Sequence, residues 1–307
     1  MTNHAGRPSS ETCSETCRLC DGTAFHKFDC LVLEKYHIGY FECASCGSLQ
    51  TEFPHWLAEA YAIPGVHVDV GQAARVVQTW LRLCFLLQNI GFERSRKCVD
   101  YGGSAGLLTR LMRDSGYDYY SYDLYEGSKY ANYFKVANLG ASKLGLLSAF
   151  EVLEHLPQPK VTLAEMFTGN PDLLVFTTQF YQGQGNDWPY LVPFCGQHVF
   201  FYTSRALETF ANSYGYDFKE AYGFWVLVRR QSPYMNAIRS AVEKSMDAAF
   251  AGDQVMRVGW GTETTTQDGA YAFDRFIREL KDLSERERSP LQQGACNESA
   301  KGHPLSR

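Results

Sequence analysis

The sequence predicts an α/β fold, a doubly wound and mostly parallel sheet with a small cysteine-rich ribbon ahead of it and a helical extension behind. Three observations predict it. Apolar strand-like runs alternate with helical stretches from about residue 73 to residue 230. A glycine-rich turn follows the first of those strands. Two Cys-x-x-Cys pairs precede the whole array.

Length and composition set the limits. At 307 residues with an ordinary apolar fraction, the chain can bury a sizeable core. No apolar run approaches the roughly 18 residues of a membrane span, and the polar N-terminus lacks a signal-peptide hydrophobic region, so a cytoplasmic protein with no membrane partner is expected. A formal net charge of -5 disfavours nucleic acid as a partner, because phosphate-held complexes need a basic excess. Ten cysteines in such a chain point to metal before disulfides.

Residues 1–16 are polar and aperiodic and are expected to be a disordered tail. Residues 17–62 are expected to be a zinc-binding segment. Cys17-Arg18-Leu19-Cys20 and Cys43-Ala44-Ser45-Cys46 are each followed closely by a glycine, Gly22 and Gly47. Four thiolates suit a tetrahedral zinc ion, and a two-residue gap lets one tight turn present two sulfurs to one metal. Such a closed site leaves no position for substrate, so the expected Zn2+ is structural and holds a segment too short to build its own core. Cys13 and His26 rank below Cys17, Cys20, Cys43 and Cys46 as ligands, and four buried thiols without metal are the alternative.

A second domain is expected over 63–230. From Ala73 to Ile90 an apolar stripe including Val76, Trp80, Leu81, Cys84 and Leu87 marks a long helix ended by Gly91. Arg75 at its start is placed to reach the carboxylate of a bound amino acid, with a solvated helix terminus as the alternative. Lys97-Cys98-Val99 reads as the end of a buried strand, and Leu107, Leu108, Leu111 and Met112 recur at helical spacing. Between them, Asp100-Tyr101-Gly102-Gly103-Ser104-Ala105-Gly106 is a strand end, a glycine turn and a helix start. Glycines allow a ligand close to the backbone, and the first helical N–H groups have no intrahelical partner. Asp100, Gly102 and Gly106 follow the D-x-G-x-G-x-G pattern of S-adenosylmethionine sites with Ser104 at the middle glycine, whereas G-x-G-x-x-G cannot be laid on these residues.

A second strand, Tyr117 to Tyr122, ends at Asp123. An acid about 20 residues past the glycine turn is suited to accept the ribose hydroxyls. A third strand is weakly marked near Tyr133 to Val136. The fourth, Leu144 to Phe150, runs into Glu151-Val152-Leu153-Glu154-His155, whose polar residues fall where the strand leaves the sheet. A fifth run, Leu173 to Thr178, follows an apolar helix. Residues 186–202 are aromatic and glycine-containing, long for a connector, and expected to form a lid or binding surface in which Trp188 and Tyr190 either stack on a ligand or join the core. Thr203-Ser204 caps the next helix, and Tyr216–Phe218 and Phe224–Val228 close the sheet as an antiparallel pair. Residues 231–283 are expected to be a helical extension, with helices over 234–250 and 270–283, and 284–307 a disordered tail.

These motifs resemble the class I, Rossmann-like S-adenosylmethionine-dependent methyltransferases. The likeness is strongest to a bacterial group with an N-terminal four-cysteine zinc segment, associated with polysaccharide or modified-sugar biosynthesis, and is similar to deoxysugar C-methyltransferases. The residues that carry it are Cys17, Cys20, Cys43 and Cys46, then Ser48-Leu49-Gln50-Thr51, Asp100-Tyr101-Gly102-Gly103, Glu151 to His155 and Gly196-Gln197-His198. The resemblance spans about residues 17–230. It implies S-adenosyl-L-methionine as cofactor and a small-molecule acceptor, a sugar or nucleotide-sugar.

The methyl group of that cofactor is already activated, so the protein must align the acceptor and, where the acceptor carries a proton, supply a base. His198 is slightly favoured over His155 as that base, a hydrogen-bonded positioning role being the alternative for each. Glu154 is a weaker candidate that orients a histidine. Glu151 joins Asp100, Gly102, Gly103, Gly106, Asp123 and Arg75 as a candidate cofactor residue. Two other readings stand beside this one: a zinc-ribbon RNA methyltransferase, disfavoured by the acidic balance, and a non-catalytic binding protein with a degenerate pocket at Ser104.

Overall fold

The computed structural model describes residues 14–62, 71–125 and 127–242, with 267, 268, 271, 275 and 278 beyond them. The chain divides into two compact units, 1–259 and 260–307. Of the second unit only those five isolated positions are described, all helical. The expected helix over 270–283 therefore falls largely outside the described residues, and the two expected tails do so apart from Ser14–Thr16.

The first unit holds two sheets. The N-terminal one is built from β1 (Ser14–Thr16), β2 (Thr23–Val32), β3 (Tyr36–Cys43) and β4 (Leu49–Thr51), all antiparallel, so the tail expected over 1–16 ends at Ser14, which pairs with Phe25. A short helix, α1 (Leu57–Ala60), follows. The buried residues of this N-terminal sheet divide between two clusters: Val32, Ile38, Tyr40 and Leu49 pack with Tyr190, Leu191 and Val199. Cys17, Leu19 and Cys43 join the cluster of Val99, Leu147 and Leu174 from the second sheet.

That second sheet starts after α2 (Gln72–Asn89), which matches the expected apolar stripe. It contains β5 (Cys98–Tyr101), β6 (Tyr119–Tyr122), β7 (Leu146–Phe150) and β8 (Leu173–Thr177), which run parallel in the order β6-β5-β7-β8. The helices α3 (Leu107–Asp114), α4 (Pro159–Met166) and α5 (Ser204–Ser213) are interleaved with them. α5 is capped as expected by Thr203, whose Oγ1 accepts from the Ala206 N–H at 3.1 Å. Period-two alternation divides the two faces: Leu173 and Val175 pack with α2 and α3, Leu174 and Phe176 with α4 and α5. The weakly marked third strand reduces to one parallel bridge, Ser121 to Lys135. β10 (Tyr216–Ala221) and β11 (Phe224–Arg229) close the sheet antiparallel on β8, and α6 (Met235–Val242) takes the first half of the helix expected over 234–250.

Strand order reverses beside β5, which has β6 on one side and β7 on the other. The carboxyl ends of these strands form the crevice in which open α/β sheets bind ligands.

One connection was not foreseen. β9 (Phe200–Phe201) lies inside the segment expected to be a lid, and it pairs with β4 as the fifth strand of the N-terminal sheet, Leu49 with Phe201 and Gln50 with Phe200. The segment is held elsewhere too: Trp56 Nε1 donates to Gly196 O at 2.8 Å and Gln197 Nε2 to Ala60 O at 2.9 Å. It is a fixed wall, tied down by the cysteine-rich ribbon.

Candidate active site

The four cysteines converge. Their sulfurs lie within 4.8 Å of one another, with Cys17 to Cys46 at 3.7 Å and Cys20 to Cys43 at 3.5 Å. A tetrahedral zinc with Zn–S bonds near 2.3 Å sets its sulfurs about 3.8 Å apart, so the spacing fits that ion. Each pair comes from a tight turn, closed by Asp21 N–H on Cys17 O and by Gly47 N–H on Cys43 O. Of the lower-ranked ligands, His26 is engaged with Asp29 at 3.2 Å and Cys13 lies outside the described residues.

The glycine turn is shaped as the motif implies. Gly102 has φ +69°, and a Cβ there would stand 2.8 Å from Val152 Cγ2; Gly106, φ +79°, caps α3. Gly103 lies against Asp100 and Ser121. Ser104 adopts φ 47°, a left-handed conformation that costs a side chain about 1–2 kcal/mol. Asp123 explains why it persists: its Oδ2 accepts from the Ser104 N–H at 2.9 Å and its Oδ1 from Tyr125 N–H at 2.8 Å. The turn is thus pinned to the end of β6, and α3 starts directly after it.

Asp100 sits under the turn. It is 4 % exposed and accepts from Ser148 Oγ at 2.6 Å, which in turn accepts from Tyr119 OH at 2.7 Å. Burial pushes its carboxyl up to about 7 against the Ser148 bond, with the charge of Asp123 adding to the rise. It braces the turn from within. Glu151 ends β7 with φ 52° and an exposed side chain. Arg75 is exposed in the first turn of α2.

Beyond Glu151 the chain forms a single turn over Leu153–His155, and here the two predicted histidines meet, their ring centroids 4.8 Å apart and edge to face. His198 Nδ1 is 2.6 Å from the carbonyl oxygen of Tyr190. A carbonyl only accepts, so Nδ1 carries the proton and Nε2 keeps a lone pair. His155 Nδ1 is 3.2 Å from Tyr61 OH. Burial, reinforced by His198, holds His155 down to about 3, and burial also lowers His198, so both rings are neutral near neutral pH.

Glu154 does not touch either ring by a hydrogen bond. It is 0 % exposed, and its oxygens accept from Tyr190 OH at 2.7 Å and Thr178 Oγ1 at 3.2 Å. Burial and the charge of Glu151 push it up to about 8. Its orientation of a histidine is indirect, through Tyr190, whose carbonyl holds His198. Tyr190 and Trp188 accordingly belong to the packed cluster under the N-terminal sheet rather than to an open stacking surface. The ligand atoms of Glu154, His155 and His198 lie within 4.8 Å of one another, a spacing that a metal ion also tolerates.

Two contributors carried no sequence signal. Tyr61, just past α1, stacks on Tyr125 with centroids 5.9 Å apart, two residues beyond Asp123, while its hydroxyl meets His155. It joins the end of β6 to the histidine pair. Arg18, between two cysteines, reaches Val199 O at 2.6 Å, next to His198.

No curated protein sequence matches the chain. Among solved structures it is similar to magnesium protoporphyrin IX methyltransferase from Synechocystis PCC 6803 with bound SAH, at 14% identity over 58% of this chain and 96% of that one, TM-score 0.40. It is also similar to 1,6-didemethyltoxoflavin-N1-methyltransferase from Burkholderia thailandensis, at 16% identity over 62% of this chain and 93% of that one, TM-score 0.38. Residues 72–221 match a family profile described as "Methyltransferase domain". That match opens with the first residue of α2 and closes with the last of β10, so the stretch that builds the glycine turn and the histidine pair is the stretch that matches a methyltransferase domain.

Proposed function

We propose that this protein transfers a methyl group from S-adenosylmethionine to a sugar, carried as a nucleotide-sugar, in polysaccharide or secondary-metabolite biosynthesis. The observation that carries the proposal is the junction of two half-sites in one crevice. The glycine turn with Asp123 supports a nucleoside, Val152 packs on that turn and Tyr61 bonds His155, whose ring meets that of His198, the histidine whose Nε2 keeps a lone pair.

When bound, S-adenosylmethionine supplies a methyl group already activated by its sulfonium. The turn at Gly102, Gly103 and Gly106 admits the nucleoside to the backbone, Asp123 accepts its ribose hydroxyls, and Arg75 and Glu151 serve its amino-acid portion. Asp100 stiffens the turn. His198 Nε2 takes the proton released by the acceptor, the Tyr190 carbonyl stabilising the imidazolium through Nδ1–H. His155 packs edge-on and holds the ring in place. Cys17, Cys20, Cys43 and Cys46 would hold one structural zinc, and the ribbon they anchor leads to Tyr61 and pairs with β9 through β4.

The test is transfer of labelled methyl from S-adenosylmethionine to a panel of nucleoside-diphosphate sugars by zinc-loaded protein. His198→Asn should abolish transfer while leaving S-adenosylhomocysteine binding intact. Transfer to RNA in place of any sugar, with strong salt dependence, would reject the sugar reading.

A further inference from the structure

Arg18 stands between two proposed zinc ligands yet directs its side chain away from them. Its Nη2 donates to the Val199 carbonyl at 2.6 Å and its Nη1 reaches the Glu52 carbonyl at 3.4 Å, with the guanidinium 5.9 Å above the Phe200 ring. The backbone of the same residue is anchored on both sides. Its N–H donates to Gln50 Oε1 at 2.9 Å, and its carbonyl accepts from Lys160 N–H on α4 at 3.4 Å.

Every one of those side-chain partners is neutral. Among the described residues no carboxylate lies within ion-pair distance of Arg18. A half-buried cation that meets only carbonyls and the Thr51 hydroxyl is costly unless a negative charge stands near. Four thiolates around a divalent zinc carry a net charge of about -2, and Cys17 is adjacent in the chain. The proposed metal centre, together with the Glu15 carboxylate, supplies the counter-charge of the guanidinium, which leaves the planar donor fork to grip main-chain oxygens.

What it grips matters. Val199 is fully buried, its N–H donates to Glu154 O at 2.8 Å, and its carbonyl also receives the Thr51 N–H at 3.1 Å. It connects His198 to the two-residue strand β9, which has too few ladder bonds to fix its own register. We infer that Arg18 is a positioning residue for His198, clamping the Val199 carbonyl so that the imidazole stays on the Tyr190 carbonyl with its other nitrogen turned to the crevice. The ribbon is thereby part of the active-site scaffold. The catalytic consequence rests on the proposed function; the clamp itself does not.

The test uses full-length, zinc-loaded protein labelled with 15N-histidine, in native form and as Arg18→Met and Arg18→Lys, with metal content measured for each. Long-range proton–nitrogen spectra read the His198 tautomer and titration directly, the signal being assigned from His198→Asn. His155 and Glu151 face the same ring and are unchanged in all variants. Native protein should show a single Nδ1–H tautomer that titrates below the ordinary imidazole value. Arg18→Met should show mixed tautomers and titration shifted back toward roughly 6.5, with Arg18→Lys between the two. Binding of S-adenosylhomocysteine should stay within about twofold, the cofactor half-site being untouched, and its failure in native protein would speak against the methyltransferase reading alone. A His198 spectrum unchanged in zinc-loaded Arg18→Met would overturn the inference. So would loss of zinc in both variants, which assigns Arg18 to the integrity of the knuckle instead.

Discussion

Glu154→Gln should make the protein less sensitive to rising pH. The carboxyl is fully buried, hydrogen-bonded by Tyr190 and Thr178, and pushed up from 4.5 to about 8. Between those two values the folded chain keeps a proton that the unfolded chain has released. The stability this group contributes is therefore fully present below about pH 4.5 and is lost as pH rises through about 8, at about 1.36 kcal/mol per unit. From pH 5.5 to 7.5 the native protein should lose about 2.7 kcal/mol relative to Glu154→Gln, which keeps the size and an acceptor oxygen but does not titrate. For a chain of this size that is a difference in Tm of about 4 °C. Thermal unfolding of both proteins at pH 5.5, 6.5 and 7.5 measures it. A gap between the two proteins that stays constant from pH 5.5 to 7.5 would refute the reasoning. It would mean that Glu154 is anionic in the fold and balanced by a cation, as it would be if a metal joined it to His155 and His198.

Other substitutions probe the rest of the framework. Gly102→Ala should lower stability by about 1–3 kcal/mol, from the positive φ and the 2.8 Å approach to Val152, and weaken S-adenosylmethionine binding by displacing the turn; unchanged binding in a calorimetric titration would show that the turn is not the cofactor site. Cys43→Ser should drop the zinc content from about one per chain and cost several kcal/mol, because β9 and the histidine wall depend on the ribbon; native Tm without metal would contradict this. Asp172→Asn should cost about 3–5 kcal/mol, since the carboxylate is fully buried between the guanidinium groups of Arg96 and Arg229 and its loss leaves them without their anion.

Local chemistry was the legible part of this molecule. The glycine turn, Asp123 at the end of the second strand and the paired cysteines each combine a residue type with a short spacing, and the structure brings each set together. His155 and His198, 43 positions apart in the chain, were both read as site residues because each follows a motif, and they meet. Contacts set only by tertiary pairing were silent. β9 is two residues long and pairs with β4, so no periodicity announces it, and its segment reads from sequence as a lid or binding surface. Arg18 and Tyr61 act through a carbonyl and a ring nitrogen far away in sequence. Glu154 and Tyr190 were seen, but whether a polar side chain faces inward depends on partners that only the fold supplies.

The central claim is that the crevice beside β5 binds a nucleoside cofactor and that Asp123 holds it. The most direct measurement is calorimetric titration of zinc-analysed protein with S-adenosylmethionine and S-adenosylhomocysteine, repeated on Asp123→Ala and on Asp123→Asn, which keeps an acceptor for the Ser104 N–H. Native protein should bind both ligands. Asp123→Ala should lose about 100-fold or more, the value of a charged hydrogen bond or two to the ribose, and Asp123→Asn less. Absence of binding by folded, zinc-loaded native protein, or equal binding by all three, would contradict the account.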